Sequence, residues 1–470
     1  MENFSKMHLS ETSYIQTSEL PGIKSRALLQ LQEEIEGNNV SYPKKMPIAI
    51  KKAKGAIIED VDGNHFIDFF AGCGVLNVGH SNAEVLKSVQ EQIENVIHVL
   101  DFPTKVKLDV IQEILAQLPP ELKNEYKVSF GGPTGSDAIE SAIKLAKIKT
   151  GRDTIISFTG GYHGMSAGAL AITSDISFRN NISSLMPNVH FAPFNYPYRA
   201  KSNNYGKHFC LSYFENMLQN NHSGISKPAA IVVEPIQGEG GNIVPEKGYL
   251  EELVRIAHKY DVLVIFDEIQ CGFFRTGEFL GFMHTKAIPD IITISKGLGG
   301  IGLPLSGIIY RKDIEAWSPG AHIGTFRGNQ ASLAAAKGAF DFVKKYNIKE
   351  HVKNMEVLLM EGLKRLQNKY AVIGDVRGKG LMIGVEIVKD LESKAPFPEF
   401  VAAFRKTCFN KGLLFEVGGH YDNVIRILPP LNITPKIIAS ALDVIDAAFE
   451  INYELFSCES IYNPKIPASV

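Results

Sequence analysis

The sequence predicts an α/β fold: a mainly parallel central sheet with helices on both faces, accompanied by a smaller α+β domain. From about Tyr126 to Ala336, short apolar runs alternate with helical stretches, which is how parallel strands joined by crossover helices read. The runs are near-continuously apolar or β-branched, as strands covered on both faces must be. Beyond about Ala336 the pattern turns to amphipathic stretches with strand-like segments between them, the mark of the smaller domain. At 470 residues the chain has room for two or three domains.

In chain order, the first signals follow a polar, helix-like opening from about Pro21. Ala56-Ile57-Ile58-Glu59-Asp60 meets the turn formers Asp62-Gly63-Asn64, and His65-Phe66-Ile67-Asp68-Phe69 resumes the strand pattern, so a hairpin is expected. Six strands of the central sheet are expected at Tyr126–Phe130, Thr154–Phe158, Ala229–Val233, Val262–Phe266, Ile291–Ile294 and Gly307–Tyr310. Amphipathic helices are expected at Ala339–Tyr346 and Val352–Lys369, a strand at Met382–Ile387 and a further helix near Val401–Asn410. The polar stretch Ala200–Lys207 reads as a surface excursion. The tail from Tyr453 to Val470 carries Pro464 and Pro467 without periodicity and reads as loosely packed.

Composition narrows the function classes. With 49 basic and 51 acidic residues the net charge is −2, without the excess or stripe of Lys and Arg that a nucleic-acid partner demands. No run approaches the roughly 18 to 20 apolar residues needed to cross a bilayer, so no membrane partner is expected. The opening Met1–Lys6 has no basic stretch leading into an apolar one, and a cytoplasmic location is expected rather than secretion. Cys73, Cys210, Cys271, Cys408 and Cys458 are scattered with no Cys-x-x-Cys pair; they read as reduced thiols, with no metal site.

The carboxyl ends of the strands are where an α/β sheet binds its ligands. Tyr126–Phe130 leads into Gly131-Gly132-Pro133-Thr134-Gly135-Ser136-Asp137, then Ala138, Ile139, Ala142, Ile143 and Ala146 at helical spacing. Such a helix start offers unpaired N–H groups and a positive dipole end, which suits a phosphate; a plain N-cap by Thr134 or Ser136 accounts for the same residues. Asp267 ends a very apolar run, where an ionised carboxylate needs a cationic partner. It is either a cap or structural ion pair, or a carboxylate that holds a ring nitrogen protonated. Lys296 ends the run Asp290–Ser295. Desolvation of a lysine in a pocket exposes its lone pair for Schiff-base chemistry, although any lysine alone reads as a surface residue. A phosphate loop, a strand-end Asp and a strand-end Lys together are what pyridoxal phosphate asks of a protein. Gly297-Leu298-Gly299-Gly300-Ile301-Gly302 matches the dinucleotide-binding G-x-G-x-x-G, but Pro304 and Gly307 interrupt the helix that motif requires.

At these residues the chain resembles the class III, ornithine-type aminotransferases of the fold-type I pyridoxal-phosphate enzymes. The matching segments, in the family's order, are Gly160–Gly164, Val233–Gly241, Phe266–Gln270, Ile294–Gly297, His322–Asn329 and Ile425–Leu431, within a likeness that runs from about Tyr42 to Leu431. The resemblance implies that Lys296 anchors the cofactor and shuttles the proton, while Asp267 pairs with the pyridine nitrogen. It also implies that Tyr162 and Ile269 flank the ring and that Gln270 lies near the phenolic oxygen; His163, next to Tyr162, is a further candidate for the cofactor and substrate pocket, with a structural hydrogen bonder as the plainer reading. Thr134, Gly135 and Ser136 would hold the phosphate, and Thr325 would reach it from a second subunit, so a homodimer with shared active sites is implied. Glu239 resembles the family's gate residue and Arg426 its partner, released to bind the α-carboxylate of glutamate; taken alone, Arg426 reads equally as a surface ion pair. The implied domains are residues 76–336 for the cofactor, with 1–75 and 337–470 forming the smaller domain from both chain ends.

Within the class, Met165 stands where the ornithine and 4-aminobutyrate branches carry an Arg for the distal carboxylate. Tyr162–Leu170 is instead similar to the diaminobutyrate:2-oxoglutarate group, as are Ser41–Lys45, Ala49–Gly55, His98–Asp101 and the loop Gly132–Ala138 with its Asp137. The reaction so implied moves the 4-amino group of L-2,4-diaminobutyrate to 2-oxoglutarate, giving L-aspartate 4-semialdehyde and L-glutamate. The alternatives are transfer from another ω-amine, amino-acid epimerisation on the same scaffold, or a catalytically silent regulator. Cys73 and Cys271 are expected near the pocket as packing residues.

Overall fold

The computed structural model describes residues 2–180, 182–200 and 205–462. Part of the expected surface excursion, residues 201–204, and the prolines 464 and 467 of the tail lie outside them.

The expected hairpin forms between β2 (Ile57–Asp60) and β3 (His65–Asp68), preceded by β1 (Ile50–Lys54). The central sheet contains β4 (Tyr126–Phe130), β5 (Ile155–Phe158), β6 (Val189–Ala192), β7 (Ala230–Val233), β8 (Leu263–Asp267), β9 (Ile291–Ile294) and β10 (Gly307–Arg311). Its strand order is β4-β10-β9-β8-β7-β5-β6. All six expected strands are present within a residue or so of their expected limits, and β6 is an addition at the edge.

Both faces of this sheet are covered. Alternate residues of a strand point to opposite sides, and two separate apolar cores result. Ile155, Val232, Ile265 and Ile308 pack with Ile139, Ala142 and Leu145 of the helix Gly135–Thr150. Ile156, Ile231, Phe266 and Ile292 pack with Leu250, Leu253 and Ala257 of the helix Tyr249–Lys259. Each fully buried side chain of this size contributes about 1.5–3 kcal/mol, and the sum over two faces makes the strand ends rigid platforms.

The sheet is mainly parallel, as expected: β6-β5-β7-β8-β9 pair in parallel, and β10 alone runs antiparallel, to both β9 and β4. Ser295–Ser306 joins β9 to β10 with only a short 3₁₀ turn at Lys296–Gly299, without the α-helix through which a parallel return usually runs.

The C-terminal half supplies β11 (Ile373–Lys379), β12 (Met382–Ile387), β13 (Leu413–Leu414), β14 (Glu416–Gly418) and β15 (Val424–Ile427). An antiparallel sheet forms in the order β11-β12-β15-β14. β13 instead pairs in parallel with β3, Leu413 opposite Ile67, which joins the two chain ends in a smaller sheet. The expected helices are found in Gln330–Lys345, which ends one residue before the expected Tyr346, Ile348–Lys369 and Pro398–Asn410.

The tail needs correction. Tyr453–Tyr462 continues the helix that starts at Pro435, and Phe456 packs on Phe397 and Phe400 with ring centroids 5.1 and 5.5 Å apart. The contact is apolar, and periodicity over so few residues was too short to reveal it. Among the described residues, no helix is long and apolar enough to cross a membrane.

Candidate active site

A cavity of about 170 Å³ opens where β4, β8 and β9 end. Thr134, Gly135 and Ser136 line one side, Tyr162, His163 and Glu239 another, and Asp267, Ile269, Gln270 and Lys296 the rest. Two larger depressions, at Leu28–Ala49 and Lys207–Ile256, lie open on the surface and hold no such convergence of strand-end groups.

The loop before the helix Gly135–Thr150 forms the N-cap that its sequence allowed and keeps a helix start open to the cavity. Asp137 accepts hydrogen bonds from the N–H and hydroxyl of Thr134 at 2.8 and 2.7 Å, a capping box that fixes the helix start. Gly135 and Ser136 open the helix, so their N–H groups lie ahead of the internal i→i−4 ladder. The loop is tight on its neighbours: a Cβ on Gly135 would come within 3.0 Å of Ile269, and one on Gly164 within 2.0 Å of the Ser136 hydroxyl. That hydroxyl also accepts from the Met165 N–H at 3.1 Å, while the Met165 side chain faces solvent.

Asp267 is buried at the end of β8. Its Oδ2 lies 2.7 Å from Nδ1 of His163, and its Oδ1 accepts from the Thr293 hydroxyl and the Ile269 N–H, both at 3.1 Å. Two carboxylate oxygens have about four acceptor positions, so one remains for a donor in the cavity. His163 Nε2 is buried without a hydrogen-bond partner among the described residues. Glu234, one residue past β7, accepts from the Tyr162 N–H at 3.0 Å and the Gly238 N–H at 2.7 Å, tying the Tyr162 loop to the Glu239 loop. Burial pushes its carboxyl up to about 7, with Asp267 adding to the rise and His163 opposing it. Sequence reasoning left Glu234 without a role, although it obeys the same strand-end rule that singled out Asp267.

Lys296 follows β9 with φ of 46°, a left-handed conformation that costs a non-glycine residue about 1–2 kcal/mol. Gly297 behind it is packed so closely that a Cβ would meet Asn77 at 2.4 Å. Arg426, on β15, is fully buried and forms an ion pair with Glu239 at 2.6 Å. Burial opposes ionisation of Glu239, but Arg426 outweighs it and holds the carboxyl below its usual range. Gln270 accepts from Arg426 Nη2 at 2.7 Å and donates to the Cys73 carbonyl at 3.2 Å. Cys73 borders the site as expected, its Sγ 3.1 Å from the Tyr42 hydroxyl, and burial pushes both groups up. Burial, with Glu239 and Cys73 nearby, also pushes the Tyr162 hydroxyl up to about 12. Cys271 lies under the site, its thiol 3.0 Å from Glu268.

Thr325 is the one predicted residue that stays apart. It is exposed in the segment His322–Arg327, which Arg327 fastens to Phe130 and Ser129 at 3.1 and 2.9 Å. Among the described residues no cluster of His, Cys, Asp or Glu could hold a metal ion. The donor set fits pyridoxal phosphate: a helix start for the phosphate, a cradle of glycines that a Cβ would fill, a carboxylate for a ring nitrogen and a lysine for the carbonyl.

The class-III aminotransferase family model matches residues 40–449. The diaminobutyrate–2-oxoglutarate aminotransferase of Haemophilus influenzae is 40% identical over 416 residues, which covers 86% of this chain and 91% of that one. Its namesake from Rhizobium meliloti is 39% identical over 433 residues, covering 90% and 92%. Among solved structures, the ornithine aminotransferase of Toxoplasma gondii has a TM-score of 0.78 at 27% identity, covering 92% of this chain and 96% of that one. A PLP-bound amine transaminase from an uncultivated Pseudomonas species has a TM-score of 0.79 at 25% identity, covering 89% and 98%. With the strand-end Lys, Asp and helix start already in one cavity, this chain belongs to the class-III aminotransferases, fold-type I enzymes that work with pyridoxal phosphate.

Proposed function

We propose that the enzyme moves the 4-amino group of L-2,4-diaminobutyrate to 2-oxoglutarate, releasing L-aspartate 4-semialdehyde and L-glutamate. The observation that carries it is the Glu239–Arg426 ion pair in the wall of a lysine-bearing cavity, in a chain whose relatives bear that enzyme's name. Closed, Glu239 neutralises Arg426 while an amine donor occupies the site. Open, the guanidinium offers a two-armed grip for the α-carboxylate of the acceptor.

Pyridoxal phosphate, when bound, supplies the carbonyl that takes up the amino group and the electron-poor ring that steadies the carbon losing its hydrogen. Lys296 Nζ would anchor the cofactor and, once freed by the incoming amine, would move that proton. Asp267, oriented by His163, keeps the ring nitrogen protonated. Tyr162 and Ile269 would hold the ring from its two faces, Gln270, which accepts from Arg426, would lie near the ring's phenolic oxygen, and Thr134, Gly135 and Ser136 would hold the phosphate. In this reading residues 76–336 form the large cofactor domain, and residues 1–75 with 337–470 form the smaller domain from both chain ends.

We also infer a cytoplasmic homodimer. Ile323 and Phe326 are 72% and 67% exposed beside Thr325, and the same apolar surface continues through Ile93, Ile97 and Phe102. The His98–Phe326 ring contact, 5.9 Å between centroids, makes the two segments one patch. The described cysteines Cys73, Cys210, Cys271 and Cys408 are free, which suits a reducing compartment.

A donor panel tests the reaction: diaminobutyrate, ornithine, 4-aminobutyrate, β-alanine and lysine, with 2-oxoglutarate or pyruvate as acceptor. Preference for diaminobutyrate and 2-oxoglutarate is expected. Comparable rates for all donors would leave a general ω-aminotransferase, and racemisation without an acceptor would point to an epimerase.

A further inference from the structure

The loop that carries Glu239 is held by its backbone from the C-terminal sheet. Gly419 donates to the Glu239 carbonyl at 2.8 Å. Arg377, on β11, donates Nε and Nη2 to the Gly241 carbonyl at 3.0 and 2.8 Å. The approach depends on a glycine, since a Cβ on Gly241 would stand 3.0 Å from Arg377 Nη2.

The rest of the Arg377 fork is fully engaged. Nη1 reaches Glu386 at 2.6 Å and Asp375 at 3.1 Å, and Nη2 reaches the Tyr196 hydroxyl at 3.0 Å. Glu386 is completely buried, receives Arg199 Nε at 2.7 Å and accepts from the Tyr196 hydroxyl as well. Two arginines and two carboxylates balance in charge. A buried ionic cluster of this kind is no better for stability than apolar packing, so what it specifies is geometry. Here the one edge of the fork not spent on the cluster is aimed at the gate loop.

We propose that Arg377 is a positioning residue for the Glu239–Arg426 gate, fixing the loop backbone so that Glu239 closes on Arg426 and opens by side-chain rotation alone. The proposal rests on the reading of Glu239 as the gate. With the carbonyls of Glu239 and Gly241 both pinned, the closed ion pair reforms at one place. Without Arg377 the Gly241 end of the loop is released and Gly419 alone holds Glu239, so the closed pairing weakens and Arg426 stands free more of the time. The amine half-reaction, which needs the pair closed, then suffers, while the 2-oxoglutarate half-reaction, which needs it open, does not.

The test follows each half-reaction of the holoenzyme separately, by cofactor absorbance after rapid mixing with 2,4-diaminobutyrate or, for the aminated form, 2-oxoglutarate. Arg377→Met should raise the apparent Kd for the diamine about tenfold, the worth of a hydrogen bond to a charged group, and leave that for 2-oxoglutarate within about twofold. Arg377→Lys, which keeps the charge beside Glu386 but lacks the fork, should shift the same ratio by about threefold; it carries the test if thermal melting shows that the Met variant does not fold. Glu239→Gln must itself change the ratio, and adding Arg377→Met to it should change the ratio by less than about twofold further, since the gate is already lost. An unchanged ratio in Glu239→Gln sinks the gate reading. A changed ratio there, with equal losses or no change in both half-reactions of the Arg377 variants, overturns the positioning role alone.

Discussion

Nδ1 of His163 lies 2.7 Å from Oδ2 of Asp267, and neither side chain is open to solvent. Asp267 arrives on a rigid strand, and the Thr293 hydroxyl holds its second oxygen at 3.1 Å. The carboxylate therefore reaches the cavity already oriented, and the imidazole is the group that sets its direction. The structural pairing with His163 is therefore present, and it leaves the carboxylate placed as a ring partner would need it.

His163→Ala should accordingly weaken cofactor binding by about 10- to 100-fold, the cost of removing one buried hydrogen bond to a charged group. His163→Asn, whose amide nitrogen can sit near the place of Nδ1, should recover a large part of that loss. Titration of the apoprotein with pyridoxal phosphate, followed by absorbance, checks both. Equal affinity for wild type and His163→Ala would mean that Thr293 and the Ile269 N–H orient Asp267 without help.

Gly135 and Ile269 are coupled by contact. A methyl group at 135 would meet Ile269 Cδ1 and Cγ2 at 3.0 Å, so Gly135→Ala should push Ile269 into the cavity and cost about 1–3 kcal/mol in cofactor binding. Gly135→Ala with Ile269→Ala removes the collision, and its affinity should exceed that of the single Gly135 variant. If the double variant binds more weakly than the single one, the loop needs Gly135 for a reason other than this contact.

Asp267 and Lys296 were legible because a strand buried on both faces reads as an unbroken apolar run, and a charge at its end has nowhere to point but the sheet's edge. Glu234 follows the same rule, one residue past β7. β6 was not: Val189-His190-Phe191-Ala192 is an edge strand with one polar residue and partly exposed sides, too short for a pattern. β10 was found without its direction, since apolar runs look alike either way; the absence of a helix between Lys296 and Gly307 was the available clue. The grip of Gln270 on Arg426 and of Arg377 on Gly241 joins residues more than a hundred positions apart, and no local pattern encodes such pairs.

Glu268 supplies a pH test independent of the cofactor. It accepts from the Gly281 and Phe282 N–H groups, both at 2.7 Å, and from the Cys271 thiol, yet burial pushes its carboxyl up to about 7 from 4.5. Between those values the folded chain keeps a proton that the unfolded chain has lost, so this group lowers stability as pH rises through the window. Glu268→Gln cannot titrate and loses one acceptor. Its deficit relative to wild type should therefore be largest at pH 5 and shrink by about 3 kcal/mol by pH 8. Urea unfolding of both apoproteins at the two pH values measures it, and a constant difference would show that Glu268 titrates as an ordinary carboxyl.

Thr325 gives the sharpest test of shared active sites. It faces solvent, away from the cavity that holds Lys296, so a phosphate contact requires a second copy of the chain. Lys296→Ala removes the anchor from a chain's own site, whereas Thr325→Asp sets a negative charge against the phosphate in its partner's site. Each variant alone should be nearly inactive. Mixed and allowed to exchange subunits, the two should form hybrids in which one site carries both defects and the other carries neither. Activity should then return to roughly a quarter of wild type, since about half of the dimers are hybrids and each holds one intact site. If each site is built from a single chain, the hybrid has two damaged sites and mixing restores nothing. Sedimentation of Phe326→Asp, expected to run as a monomer and to bind pyridoxal phosphate weakly, separates a failure of sharing from a failure to exchange.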